Sequence, residues 1–273
     1  MKRTLKLLVT GLLLLSFAVA AVGCGGGDDK KPAADGGDQP KQPESKKRLV
    51  VGTNATFPPF ESMDKEELVG FDMDLIRAIG AAEGYEVEIQ HMEFKSLIPA
   101  LQSDKIDCAI AGMSVNEERK EVVDFSEPYF DAGLIVAVPK ANPLGIQSKD
   151  DLKGKRIAAQ TGTTGANACQ QISEADKETK VSLFKDIGEA FMEMDKGGVD
   201  AVVNDQAVTL NYITTAGENK VITVGEPFST EEQYAIAVKK DNADVLKVIN
   251  SGLKKVKENG EFDQIYKKWI AGQ

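Results

Sequence analysis

From Arg48 to Ile270 the apolar positions fall into short runs that switch between two periods, and the switches lay out alternating strands and helices. "RLVVG" is apolar almost throughout, as a buried strand is. "GFDMDLIRAIGAAEG" spaces its apolar residues three and four apart. It predicts a helix opened by Asp72, with Asp74 serving the helix dipole, and closed at Gly84. "YEVEIQHM" alternates as a strand, "FKSLIPALQS" is helical, and "KIDCAIAG" is again a strand. After "GLIVAVP" the order restarts: "GKRIAAQ" strand, "GANACQQISEA" helix, "VSLF" strand, "IGEAFMEMDKGG" helix, "VDAVVND" strand. "EQYAIAVKK" reads as a last strand, and "ADVLKVINSGLKKVKENGEFDQIYKKWI" as two closing helices. This alternation means an α/β protein.

The second half echoes the first. "KRLVVGTNATF" is similar to "KRIAAQTGTTG", and "KIDCAIAG" to "GVDAVVND", which points to two similar α/β lobes rather than one sheet. Ligands of open α/β sheets sit beyond the carboxyl ends of strands. Those ends are "TNATF", "AGMS", "QTGTT" and "ND", small or polar in every case and drawn from both halves.

Before Arg48 the pattern is of another kind. "MKRTLK" is basic, "LLVTGLLLLSFAVAAV" is apolar, and "AVGC" ends in Cys24, which resembles a bacterial lipoprotein signal: residues 1–23 as leader, Cys24 as the lipidated residue. Residues 24–47 hold Gly, Pro, Asp and Lys with almost nothing apolar, a flexible tether reaching roughly 25–30 Å. No later stretch stays apolar for the ~18 residues of a membrane helix, so the membrane is met through the lipid only, in an extracytoplasmic setting. The 273 residues carry a formal charge of −10, and the leader holds Lys2, Arg3 and Lys6 but no acid, so a mature chain carries −13. That acidity argues against nucleic acid as a partner. Cys108 and Cys169 lie in different halves and read as two small buried hydrophobes rather than a disulfide.

The candidate chemistry sits at the four strand ends. In "AGMSVNEERK", Asn116 suits a helix N-cap and Glu117 and Glu118 its first turn, yet Arg119 puts a cation at the positive end of that helix. Its planar fork suits a carboxylate, with the Ser114 hydroxyl as a further donor. In "QTGTTG", the amides of Thr163 and Thr164 near a helix N-terminus form an anion seat, and Asp205 offers an acceptor for a cation. An anion seat facing a carboxylate describes a receptor for a zwitterion, with Phe57 and Phe94 as walls. Each residue also has a plain structural reading: Arg119 as a surface ion pair, Asp205 as a helix cap, the two phenylalanines as core. "TGTTG" lacks the lysine of a phosphate-binding loop, and no metal-ligand spacing occurs, so neither cofactor nor metal is expected.

The same segments carry a family resemblance. "VVGTNATFPPFE", "LVGFDMDL", "IPALQSDKIDCAIAGMSVNEERKEVVDFSEPYF" and "DLKGKRIAAQTGTTGA" are similar to the family 3 extracellular solute-binding proteins of polar amino-acid ABC transporters. The resemblance implies a two-lobed, periplasmic-binding-protein-like type II clamp with two hinge crossings, lobe 1 at 48–131 plus 231–273 and lobe 2 at 132–230. It implies that Arg119 grips a ligand α-carboxylate with Ser114 and the Thr164 amide. Asp205 would take the α-ammonium with the backbone at Gly112, next to Ala111 as a further ligand contact, while Phe57 and Phe94 form aromatic walls. The expected partners are a free polar L-amino acid and an ABC permease, for a monomeric protein.

Relatives that bind basic amino acids, and the glutamine binders too, often have Asp where Asn54 stands. Here the side-chain end offers the neutral amides Asn54, Gln160 and Asn204, which favours a glutamine-like ligand, with arginine or lysine next if Glu61 supplies a charge. No enzyme is expected, because the one histidine, His91, falls in a strand pattern and no acid–base pair is apparent. A component feeding a signalling receptor is the alternative, with a clamp-fold enzyme behind it.

Overall fold

The computed structural model describes residues 47–271. The leader 1–23, Cys24 and all of the tether but Lys47 lie outside the described residues; Lys47 itself opens the first strand, Lys47–Thr53. Two five-stranded sheets form the frame. The first runs in the spatial order Tyr85–His91, Lys47–Thr53, Cys108–Ala109, Ala237–Lys239, Val123–Phe125. The second runs Lys180–Phe184, Arg156–Gln160, Ala201–Asp205, Leu134–Pro139, Val221–Phe228.

In the first sheet Lys47–Thr53, and in the second Arg156–Gln160, lies between two parallel partners, and the next strand along is antiparallel. That antiparallel strand is always one that has just arrived from the other sheet. The chain therefore crosses twice, and the crossings pair with each other: Phe130–Asp131 runs antiparallel to Gln233–Tyr234. This is the two-lobed type II clamp that the repeat and the resemblance predict. It also explains why "EQYAIAVKK" is two strands: Gln233–Tyr234 belongs to the crossing and Ala237–Lys239 to the first sheet.

The helix Phe71–Ala82 departs from expectation at its start. Asp72 does not open it. Gly70 holds the cap position at φ 134°, and a β-carbon there would stand 2.1 Å from the Phe60 carbonyl oxygen, so only glycine fits. The first amides are satisfied by backbone: Phe71 N–H donates to Pro59 O and Asp72 N–H to Phe60 O, both at 2.9 Å. The Asp72 side chain is thereby freed and turned into the protein, fully buried. Asp74, by contrast, accepts from Lys268 Nζ and Trp269 Nε1 at 2.7 Å each, tying this helix to the last one.

A small sheet of Thr56–Phe57, Glu61–Asp64 and Glu67–Val69 also escaped the pattern, being too short for either period to show. It carries Phe57 and Phe60. The Phe60 ring sits 4.8 Å from Phe130 and 5.1 Å from Tyr234, edge-on in both cases, so an aromatic cluster closes the base of the crossing. Cys108 and Cys169 are free and buried, as read, and burial raises the Cys169 thiol to about 12. No helix among the described residues is long and apolar enough to cross a membrane.

Candidate functional site

Between the two sheets lies a small cavity. From the first sheet's side it is lined by Phe57, Phe94, Ala111, Gly112, Ser114 and Arg119, and from the second by Gln160, Thr163, Thr164 and Asp205. These are ten of the twelve non-lipid positions singled out in the sequence. Asn54 and Asn204 do not line it.

Arg119 reaches the cavity from a four-residue helix, Glu117–Lys120, whose cap Asn116 accepts from the Arg119 amide at 2.8 Å. The surface ion pair goes to its neighbour instead: Lys120 pairs with Glu117 at 2.9 Å. The Arg119 guanidinium is buried, donates to the Ser114 carbonyl and, across the cleft, to the Gly162 carbonyl at 3.0 Å, and lies 5.4 Å from the Phe94 ring centre. Among the described residues it forms no ion pair. Two backbone bonds use two of its roughly five N–H donors and leave the rest. Burial pulls its pKa below the ordinary value, against Asp205 and Glu232, which raise it.

Asp205 ends the strand Ala201–Asp205 and occupies the cap position of the helix Gln206–Thr215, but its side chain makes no cap bond. Its Oδ1 accepts from Tyr234 Oη at 2.5 Å, from the returning crossing strand. Burial pushes the Asp205 carboxyl up to about 7; the Glu232 charge adds to this, and the Tyr234 hydroxyl and Arg119 oppose it. A buried carboxylate and a buried guanidinium thus face one small cavity without neutralising each other directly.

Thr163 caps the helix Thr164–Ala175, accepting from the Ala166 amide at 3.1 Å, and donates its hydroxyl to Gln160 O at 2.7 Å. Its side chain is fully used. What the loop offers is the leading helix amides, which have no intrahelical acceptor. The Gly112 backbone has φ +52°, and a β-carbon there would come within 3.1 Å of the Phe57 ring.

The amide end is more closed than the sequence suggested. Gln160 Nε2 donates to Asn54 Oδ1 at 2.7 Å and to Lys185 O at 3.1 Å, while Asn54 Nδ2 donates to Met92 O at 3.1 Å. Asn54 therefore locks Gln160 across the cleft. Asn204 is turned away from the cavity, its Nδ2 donating to Thr209 Oγ1 at 3.2 Å. Glu61 is fully buried and, far from lining the cavity, lies against Asp72 behind it. His91 is exposed and accepts the Ala55 amide at 3.0 Å. The polar residues missed by sequence reasoning, Asp72, Tyr129 and Tyr234, all act one layer back. Only the isolated acid in an otherwise apolar helix face hinted at them.

A family described as bacterial extracellular solute-binding proteins, family 3, matches residues 49–272. A probable histidine-binding protein of Neisseria gonorrhoeae is 35% identical over 97% of this chain and 96% of its own. The arginine-binding extracellular protein ArtP of Bacillus subtilis (strain 168) is 32% identical over 100% of both. An ancestral arginine-binding protein, solved with arginine and again with glutamine, superposes at TM-scores of 0.78 and 0.77, with 47% and 46% identity over 82% and 83% of this chain and 98% and 99% of that one. The chain belongs to the bacterial extracellular solute-binding proteins, family 3, which are binding proteins rather than enzymes.

Proposed function

We propose that this protein captures a polar L-amino acid and hands it to an ABC permease, held at the outer membrane face by a lipid on Cys24 as a monomer. The observation that carries the reading is the pair of buried, mutually unpaired charges, Arg119 and Asp205, on opposite walls of one cavity. The α-carboxylate meets the free guanidinium donors, Ser114 and the Thr164 amide; the α-ammonium meets Asp205 and the Ala111–Gly112 backbone; Phe57 and Phe94 cover the stem. Lobes drawn at 48–131 plus 231–273 and 132–230 close about the crossing strands, and the solute stabilises the closed form because it touches both.

For the side chain we infer glutamine first, because Gln160, the amide that lines the cavity, meets it without a charge and is held there by its bond to Asn54. Arginine is the second reading. It is favoured by Asp186, whose Oδ1 lies 3.0 Å from Thr56 Oγ1, itself 3.0 Å from Asn54 Oδ1, and by the ancestral arginine-binding protein solved with both amino acids. Titration calorimetry of the delipidated protein with glutamine, arginine, lysine and histidine tests this. Glutamine is expected to bind tightest; tightest binding of arginine replaces the first reading with the second, and binding of none of the common amino acids refutes both.

A further inference from the structure

Behind the cavity wall stand two carboxyls that no role above uses. Glu61 and Asp72 are both 0% exposed. Asp72 Oδ2 accepts the Gly112 amide and the Tyr129 hydroxyl, each at 2.8 Å. Asp72 Oδ1 and both Glu61 oxygens have no donor, although the two carboxyls lie within hydrogen-bonding reach of each other. The titratable groups facing Glu61 come from every neighbouring element: Asp72 on its helix, Asp205 at the end of its strand, and Tyr129 and Tyr234 at the two crossings. None is a cation. The rings of Phe60, Phe71 and Phe130 enclose the region, with Phe60 6.0 Å from Phe71.

Two carboxylates in contact here would both be desolvated and would repel each other, with three oxygens lacking a donor. One shared proton removes the repulsion and supplies the missing bond. Donor count decides where it stays: two donors hold Asp72 as the anion, and none holds Glu61. We propose that Glu61 keeps a proton at neutral pH and donates it to Asp72, and that Asp72, held anionic, fixes the Gly112 peptide at the ammonium end of the cavity as a positioning residue for ligand capture. Gly112 needs such a restraint. At φ +52° it is a glycine with other conformations open to it, and the bond to Asp72 selects one. Burial acts in the same direction on both acids, raising Asp72 to about 6 and Glu61 well above the usual carboxylate range.

The positioning role rests on the amino-acid reading; the shared proton does not, and the test separates them. Infrared spectra of the full chain at pH 7 are compared for Asp205→Asn and Asp205→Asn/Glu61→Gln, which removes Asp205 as a source of acid signal. The single variant is expected to show the carbonyl stretch of a neutral carboxylic acid and the double variant to lack it. Absence of the band in the single variant overturns the shared proton, whatever binds. In calorimetry with glutamine and arginine, Glu61→Leu is expected to lose at least about tenfold in affinity. Glu61→Gln, whose amide N–H replaces the acid proton, should restore it to within about threefold of wild type. Tyr129→Phe, which keeps the fold's shape but removes one donor from the Asp72 anion, should move the acid-side loss of affinity to higher pH. Equal damage from the leucine and glutamine variants, or an unmoved profile in Tyr129→Phe, overturns the positioning role. A band with no amino-acid binding removes that role together with the functional reading.

Discussion

If Asp205 takes the ammonium of the solute, as proposed, it ties binding to pH with a definite sign. The group is 5% exposed, and burial lifts its carboxyl to about 7. An α-ammonium against it favours the anion and returns the pKa toward or below the ordinary carboxylate range, so the bound state holds fewer protons than the free state. Affinity therefore rises with pH. If only the anion binds, the apparent Kd scales as one plus ten to the power of (pKa minus pH). It is nearly flat above pH ~8, about twofold weaker at pH 7, and about tenfold weaker for each unit below that. Between pH 8 and pH 5 the loss is about 100-fold, on the order of 3 kcal/mol.

The same linkage fixes a proton count. At pH 7 the free carboxyl is half protonated, so binding releases about half a proton. Calorimetry with glutamine and arginine from pH 5 to 8, in two buffers of different ionisation enthalpy at pH 7, measures both quantities. Asp205→Asn should bind at least ~30-fold more weakly at pH 8, as expected when one half of a desolvated charge pair is removed. Its pH slope between 6 and 8 should vanish, and any slope left below pH 6 belongs to Asp72, raised to about 6. A Kd that stays constant from pH 5 to 8 in the wild type refutes the reasoning, as does an Asp205→Asn variant that keeps the wild-type slope.

Three further outcomes follow from the site. Arg119→Ala should weaken binding by about 3 kcal/mol or more, and Arg119→Lys by nearly as much. An ammonium cannot hold the Ser114 and Gly162 carbonyls and also present a planar pair of donors; calorimetry at pH 8 reads both variants. Asn54→Asp places a carboxylate beside Gln160, so arginine should gain at least ~10-fold over glutamine in a competition assay. An unchanged preference would show that the amide end does not meet the side chain. Gly112→Ala should cost about 1–2 kcal/mol in binding, because φ +52° disfavours a side chain and the new carbon meets the Phe57 ring at 3.1 Å. Its circular dichroism should match the wild type, and wild-type affinity in this variant would mean that the Gly112 backbone plays no part.

What could be read from the sequence depended on how local each signal was. The long strands and helices announced themselves by period, and Asn116 by its cap position, because those preferences reside in adjacent residues. Ten cavity residues were legible because strand ends are where an α/β fold opens, and strand ends can be found from the pattern alone. Asp72 was misread for the complementary reason. An acid near a helix start has a good local explanation, and only the backbone carbonyls of Pro59 and Phe60, already occupying the cap, release it for a buried role. Asn54 and Asn204 were over-read in the same way: an amide near a strand end looks available until its partner is placed, Gln160 from the other lobe for Asn54 and Thr209 in the first turns of the following helix for Asn204.

The bonds across the cleft bear on how the clamp discriminates. Direct bonds across the cleft, Asn54 with Gln160 and Arg119 with the Gly162 carbonyl, favour the closed form without any solute. Against them stands the desolvation of Arg119 and Asp205, both buried and, among the described residues, offset by no ion pair. A molecule carrying only a carboxylate relieves the first charge and leaves the second; an amine does the reverse. Only a zwitterion of the right span relieves both, so the closed form is most stable around the intended class of solute. On the proposed reading the neutral amide of Gln160 then chooses among its members at a smaller energetic scale, since a hydrogen bond between uncharged groups contributes about 1 kcal/mol where a buried charge contributes several. On that reading, class recognition by the two charges and member recognition at the amide end are separable. One substitution at position 54 is expected to alter the second while leaving the first intact.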